Sequence, residues 1–189
     1  MRILGISGSL RRESLNSALL RAAAERLPAG AELVVFARLG EVPPYDQDVE
    51  AAGPVPDVVR ELRDAVSGAD AVLVATPEYN RSIPGQLKNA LDWVSRPAGE
   101  SAMNGKPVAV IGASTGMFGA VWAQAETRKV LGALGARVVE AELPVGRAAE
   151  QLARGRLELP PELAEQLEEI VAELVSAAEM EAGYAAATT

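Results

Sequence analysis

The chain has 189 residues, 49% of them hydrophobic, and its 26 acidic and 18 basic side chains give a net charge of −8 at pH 7. This length fits one domain with one core, and the acidic balance disfavours nucleic acid or an anionic membrane as a partner. The chain contains no cysteine and no histidine, which excludes disulfides, thiolate or imidazole metal sites, and nucleophilic catalysis by Ser-His-Asp or Cys-His groups.

Short apolar segments alternate with longer helical patterns along the chain. Strands are predicted at residues 2–7, 32–37, 71–76, 108–113 and 137–141. Helices are predicted at residues 16–27, 55–68, 85–94, 120–134 and 161–180, where apolar residues recur at helical spacing. The alternation predicts a single α/β domain, residues 1–181, built on a doubly wound parallel sheet of five strands. The small, uncharged residues 182–189 are expected to form a flexible tail.

The sequence predicts a cytoplasmic protein whose chemistry comes from a cofactor. The N-terminal apolar run, MRILGIS, is too short for a signal sequence, and no other stretch reaches the length of a membrane span. Histidine, the commonest acid or base group near neutral pH, is missing. A cofactor is therefore expected to carry any catalysis, with no catalytic side chain and no bound metal.

The loop after the first predicted strand has the chemistry of a phosphate cradle. Residues 8–17, GSLRRESLNS, open a helix, whose unpaired N–H groups and positive dipole end favour an anion. The pattern is neither G-x-G-x-x-G nor a P-loop, so a monophosphate is expected. The candidate ligands are the hydroxyl, amide and guanidinium groups of Ser9, Arg11, Ser14, Asn16 and Ser17. In the alternative interpretation, Ser14 or Asn16 only caps the helix and the arginines are solvated.

The loops after the third and fourth predicted strands end at the same edge of the sheet as the cradle, so the three loops are expected to enclose one site. Residues 77–85 read PEYNRSIPG, which on spacing alone is an ordinary strand-ending turn. Residues 112–119, GASTGMFG, contain the G-x-S-x-G pattern of a hydrolase nucleophile elbow. Without a histidine to act as base, a hydrolase is only a weak alternative.

The segments GSLRxxSxN and PEYNxSxPGxLKNxLDW resemble the NAD(P)H-dependent FMN reductase family, which includes quinone and chromate reductases. The resemblance covers residues 1 to about 145. It departs in the third loop, where many relatives have Ser-Pro-Gly, paired glycines and an arginine, and this chain has Thr115, Gly119-Ala120 and Trp122. The resemblance implies a flavodoxin-like fold that binds FMN. The ring contacts it implies are Pro77, Glu78, Tyr79, Asn80, Ser82, Ser114 and Gly116.

The same resemblance implies an activity. NADPH or NADH would pass hydride to FMN, and a quinone, free flavin, chromate or azo compound would then take the electrons in a ping-pong cycle. A homodimer or homotetramer is expected, in which a neighbouring subunit completes the flavin site. A flavodoxin-type electron carrier without direct NAD(P)H activity is the alternative.

Two further assignments concern the second loop and the helix after it. Arg81 occupies the variable position of the PEYNxS segment and is the candidate contact for the 2′-phosphate of NADPH. A solvated arginine is the competing interpretation. The apolar residues Leu87, Leu91 and Trp93 of the predicted helix belong either to the core or to a subunit interface.

Overall fold

The computed structural model describes residues 1–153 and 155–187. The strands of its main sheet are β1 (Arg2–Ser7), β2 (Glu32–Val35), β3 (Ala71–Thr76), β4 (Pro107–Ala113), β5 (Arg137–Val138) and β6 (Pro144–Val145). A separate antiparallel pair consists of β7 (Leu152–Ala153) and β8 (Arg156–Leu157). The helices are α1 (Leu15–Ala24), α2 (Gln47–Ala51), α3 (Asp57–Ser67), α4 (Gly85–Val94), α5 (Val121–Ala133) and α6 (Pro161–Ala187).

The main sheet is parallel and doubly wound, which confirms the predicted flavodoxin-like fold class. Its strand order is β2-β1-β3-β4-β5, with α1 and α6 on one face and α3, α4 and α5 on the other. Successive side chains of a strand point to opposite faces, so Ile3 packs under α1 and α6 while Leu4 packs under α3 and α4. Strands β3 and β4 are buried along their whole length, which explains their continuous apolar runs.

The fifth strand differs from the prediction. Of the segment predicted as a strand, residues 137–141, only the first two residues pair with β4 in register, and they form β5. Strand β6 then pairs with the other end of β4, where Gly112 lies opposite Pro144. Between β5 and β6, side chains of α5 hold the segment beside the remaining backbone bonds of Val139 and Leu143 to β4. Gln124 bonds both backbone groups of Leu143, and Arg128 donates to the carbonyl of Ala141. The predicted single strand is therefore two short strands separated by a segment held to α5.

The chain's C-terminal helix is longer than predicted. Helix α6 continues past residue 180 to Ala187, so six residues of the predicted tail, 182–187, have helical backbone. Residues 188 and 189 lie outside the described residues, and the flexibility of the tail stays a prediction. In the part of the chain described, no helix has the length and apolar character to cross a bilayer.

The apolar side of α4 belongs to the core. Leu87 and Trp93 have no exposed surface and Leu91 is 1% exposed. These side chains pack against α3 and the second face of the sheet, which resolves the alternative left open by the sequence. Any subunit interface must therefore use a different surface.

Candidate functional site

Three loops enclose one cleft at the carboxyl edge of the main sheet, as the sequence predicted. They follow β1, β3 and β4, the three central strands. The cleft is lined by Ser9, Arg11, Leu15, Asn16, Pro77, Glu78, Tyr79, Ala113, Ser114 and Thr115. The other predicted cofactor residues do not line the cleft but lie in or beside the same loops: they are Ser14, Ser17, Asn80, Ser82 and Gly116. No group of three or more acidic side chains among the described residues is arranged to hold a metal ion.

The first loop is held tightly between β1 and the second loop. The N–H of Gly8 donates to the carbonyl of Ala75 in β3 at 2.8 Å. A Cβ on Gly8 would lie 3.0 Å from Leu87 and 3.1 Å from Pro77, so any larger residue would have to push these side chains aside. The approach brings the candidate phosphate loop directly beside the candidate ring loop.

The first turn of α1 faces the cleft with unused backbone donors. Ser14 is the N-cap residue, and its hydroxyl oxygen accepts from the N–H of Ser17 at 3.1 Å. Leu15 and Asn16 line the cleft, and N–H groups at these first helical positions have no intrahelical acceptor. The Ser17 hydroxyl donates to the Ser7 hydroxyl at 3.0 Å. Ser14 and Ser17 therefore shape the helix start, and their predicted contact with a phosphate stays a prediction.

Asn16 ties the first loop to the third. Its side chain is 2% exposed. The carboxamide Nδ2 donates to the carbonyl of Ala113 at 2.9 Å, and Oδ1 accepts from the N–H of Ala113 at 3.0 Å. Both polar ends of the side chain are thus occupied by the end of β4. Asn16 sets the distance between two walls of the cleft, while its predicted direct contact with the cofactor stays untested.

Arg11 is the cation at the mouth of this cleft. Its side chain is exposed and forms no ion pair with any residue that the structure describes. Its N–H donors are therefore free to hold an anion in a bidentate contact. In a chain of net charge −8, a phosphate contact depends on such local positive charge.

The second loop folds as a tight hairpin turn. Tyr79 and Ser82 exchange backbone hydrogen bonds of 3.2 and 3.1 Å. The two residues between them, Asn80 and Arg81, have φ angles of 54° and 62°, which is the type I′ geometry. Asparagine adopts this left-handed conformation readily, but it costs a residue such as Arg81 about 1–2 kcal/mol, so surrounding contacts must hold this turn in place.

The carboxylates of Glu78 and Glu126 provide those contacts, because their hydrogen bonds join the second loop to α5. Glu78 accepts from the N–H groups of Trp122 and Ala123 at 3.1 and 3.2 Å, which caps a helix whose N-cap residue has no capping side chain. In return, Glu126 of α5 accepts from the Ser82 hydroxyl at 2.6 Å and the Ile83 N–H at 3.2 Å. These hydrogen bonds hold the pKa of Glu126 below its ordinary value.

The third loop does not have the geometry of a nucleophile elbow. An elbow serine sits on a sharp turn from strand directly into helix, but α5 starts at Val121, well after Ser114. The Ser114 hydroxyl donates to the carbonyl of Gly116 at 3.3 Å, and its N–H donates to Val145 at 3.0 Å. A Cβ on Gly146 would lie 2.2 Å from the carbonyl oxygen of Met117. The loop is thus packed against the chain after β6, and the geometry removes the hydrolase alternative.

Beside the cleft lies an exposed apolar surface that we call the aromatic rim, formed by Met117, Phe118 and Trp122. Their side chains are 64%, 54% and 39% exposed. The rings of Phe118 and Trp122 meet edge to face at 5.0 Å, and the guanidinium of Arg81 lies 5.1 Å from the Trp122 ring centre. Arg81 therefore connects the second loop to the rim.

Sequence reasoning missed the role of Glu126 and the aromatic rim. Glu126 lies on a helix with several charged side chains, and nothing in its spacing distinguishes it from a solvated residue. The rim did have a signal, because large apolar residues at 117, 118 and 122 stand in a loop and in the first turn of a helix, where burial is not expected.

Comparison with known proteins gives consistent matches. A family model described as NADPH-dependent FMN reductase matches residues 1–150. An NAD(P)H-dependent FMN reductase of Pseudomonas aeruginosa is 47% identical to this chain over 131 residues. A 2-hydroxy-1,4-benzoquinone reductase of a Burkholderia species is 45% identical over 130 residues. Each match covers 69% of this chain and 69% of the relative. Among solved structures, the flavoenzyme FerB, an NAD(P)H:(acceptor) oxidoreductase from Paracoccus denitrificans, is 35% identical with a TM-score of 0.82, and the match covers 95% of this chain and 98% of that one.

Proposed function

The chain belongs to the NADPH-dependent FMN reductase family, and from that membership we propose that it is an FMN-containing oxidoreductase that uses NADPH or NADH to reduce quinones or related small acceptors. The observation that carries the proposal is the three-loop cleft. It combines a cationic loop at the start of α1 with a flat wall at Pro77 and Tyr79, which is the pairing that a phosphorylated ring compound requires.

The residues of the cleft fit FMN. In our proposal the phosphate is held by Ser9, Arg11 and the first N–H groups of α1. The isoalloxazine ring would be held by the second loop, from Pro77 to Ser82, and by backbone groups between Ser114 and Gly116. The chemistry that FMN supplies when bound is the storage of two electrons between donor and acceptor.

The chain itself contributes binding and orientation. Arg11 neutralises phosphate charge, and the reciprocal contacts of Glu78 and Glu126 fix the wall beside the ring. Because the cleft opens to solvent next to Tyr79, which is 48% exposed, a nicotinamide and then an acceptor can occupy the same place in turn. The chain has no histidine, so neither half of the cycle uses an imidazole as acid or base.

An absorption spectrum of the purified protein, followed by mixing without oxygen, tests the proposal. We expect flavin bands that NADPH or NADH bleaches and that a benzoquinone restores, at rates matching steady-state turnover. A protein with flavin bands that neither nucleotide bleaches would be an electron carrier of the flavodoxin type. A protein that binds no FMN would contradict the proposal altogether.

We expect Arg81 to give a modest preference for NADPH over NADH. An exposed ion pair with the 2′-phosphate contributes about 0.2–1 kcal/mol, so the preference should be at most several-fold and should shrink with added salt. The measurement compares kcat/KM for both nucleotides in the parent and in Arg81→Ala at low ionic strength. A loss confined to NADPH supports the contact, whereas equal changes with both nucleotides would remove Arg81 from the nucleotide site.

We also propose that the active unit is a homodimer or homotetramer, with the aromatic rim at its interface. Covering Phe118 and its neighbours with a second copy would remove exposed apolar surface and close the open side of the cleft. Phe118→Glu should therefore lower the molar mass measured by light scattering at micromolar concentration. The matched control is Met180→Glu, which changes a 62% exposed methionine on α6. A parent protein that is monomeric with full turnover would contradict this proposal.

A further inference from the structure

A second groove lies on the far side of the first loop. It is formed by residues 9–12 of that loop, by residues 35–41 after β2, and by Ser7, Ser17 and Arg21 behind them. Its volume is about 420 Å³, which is within the range of small-molecule sites. Of the side chains proposed above to hold the FMN phosphate, Ser9 and Arg11 border this space.

The groove combines exposed apolar side chains with cations. Leu10 and Val35 are 57% and 41% exposed on its walls. Arg11 and Arg12 form no ion pair with the described part of the chain. By contrast, the charge of Arg38 is neutralised, because its guanidinium contacts both Glu41 and Glu61 at 2.6 Å.

The groove adjoins the flavin cleft, because Ser9 and Arg11 line both. The groove therefore begins where the FMN phosphate is proposed to bind. A ligand whose ring lies in the cleft can extend past this point only if a second phosphate follows the first. The groove offers Arg12 to such a phosphate and apolar side chains to a ring beyond it.

We propose that this groove binds the adenylate half of FAD, so that the chain accepts FAD as well as FMN at one flavin site. The diphosphate lies against Arg11 and Arg12, and the adenine ring packs on Leu10 and Val35. The proposal rests on the proposed function, since it takes the flavin half of the ligand to lie in the three-loop cleft.

Flavin binding by the flavin-free chain tests the proposal, with calorimetry or flavin fluorescence as the readout. The parent should bind FMN and FAD with dissociation constants within about tenfold of each other, since the groove offsets the cost of holding the adenylate half. Arg12→Gln and Val35→Glu should each weaken FAD about fivefold or more and leave FMN within about twofold. Two controls change exposed residues of the same types elsewhere: Arg60→Gln on α3, at an arginine that unlike Arg12 pairs with Asp57, and Val49→Glu, at a valine that is 43% exposed on α2. Neither control should affect either flavin.

Each contrary result has a distinct meaning. Binding of FMN without FAD, or variants that change both flavins equally or neither, would overturn the adenylate site and leave the proposed function intact. If Arg12→Gln raises KM for NADPH but leaves FAD binding unchanged, the groove serves the nicotinamide dinucleotide instead, and the proposal is wrong. Failure of the parent to bind FMN would overturn both proposals.

Discussion

Replacing Asn16 with leucine is expected to lower the free energy of unfolding by about 2–6 kcal/mol, since each buried polar group left unpaired costs about 1–3 kcal/mol. The side chain satisfies both the N–H and the carbonyl of Ala113, and all three groups lie where water does not reach. Leucine has the same number of side-chain heavy atoms and the same branching at Cγ, so no cavity is left, and its bulkier methyl groups can only add to the loss from the missing hydrogen bonds. The effect is large compared with a total stability of about 5–15 kcal/mol.

Urea denaturation of the flavin-free protein measures this loss, because bound ligand would add its own stabilisation. Asn104→Leu is the matched control, since Asn104 is exposed and its side chain makes no hydrogen bond with the described residues. Asn16→Asp should destabilise the fold at least as much at neutral pH, because a buried carboxylate oxygen would then face the carbonyl oxygen of Ala113. If Asn16→Leu unfolds at the same urea concentration as the parent, the bridge between the first and third loops does not stabilise the fold.

The elements predicted most accurately are those with strong local signals. Strands β1 and β3 and helix α4 have the predicted bounds, because β3 is buried on both faces and Pro84 fixes the start of α4. Helix α2 was missed because five residues are too few to show a period. The interruption of the fifth strand was missed for another reason: the segment between β5 and β6 is held by Gln124, a residue of a different element.

The candidate site shows the same division between local and tertiary information. The sequence placed three loops at one edge of a parallel sheet, and that much follows from strand order alone. It could not show that Glu78 points away from its own loop to cap α5, or that Glu126 returns the contact. Such pairs join residues more than forty positions apart, and only the folded chain determines which polar side chain meets which backbone donor.

Arg11→Ala is expected to weaken FMN binding by about 1.5–3 kcal/mol, the usual contribution of a charge-assisted hydrogen bond, which is roughly a ten- to 150-fold rise in Kd. The side chain lines the cleft, is exposed and has no carboxylate partner among the described residues. Its removal therefore leaves no unpaired protein charge, and the loss reports on the ligand contact alone. The chain as a whole carries a net charge of −8, so apart from Arg11 and the neighbouring Arg12 it offers a phosphate little long-range attraction.

Calorimetry with FMN at two salt concentrations measures the effect, and Arg11→Lys separates charge from geometry. Lysine keeps the positive charge but not the planar fork, so it should recover only part of the affinity, and that part should fall as salt is added. Riboflavin, which lacks the phosphate, should bind the parent and Arg11→Ala equally well. If Arg11→Ala binds FMN as tightly as the parent, or weakens riboflavin by the same factor, then Arg11 does not hold the phosphate, and the cradle must rest on Ser9 and the start of α1 alone.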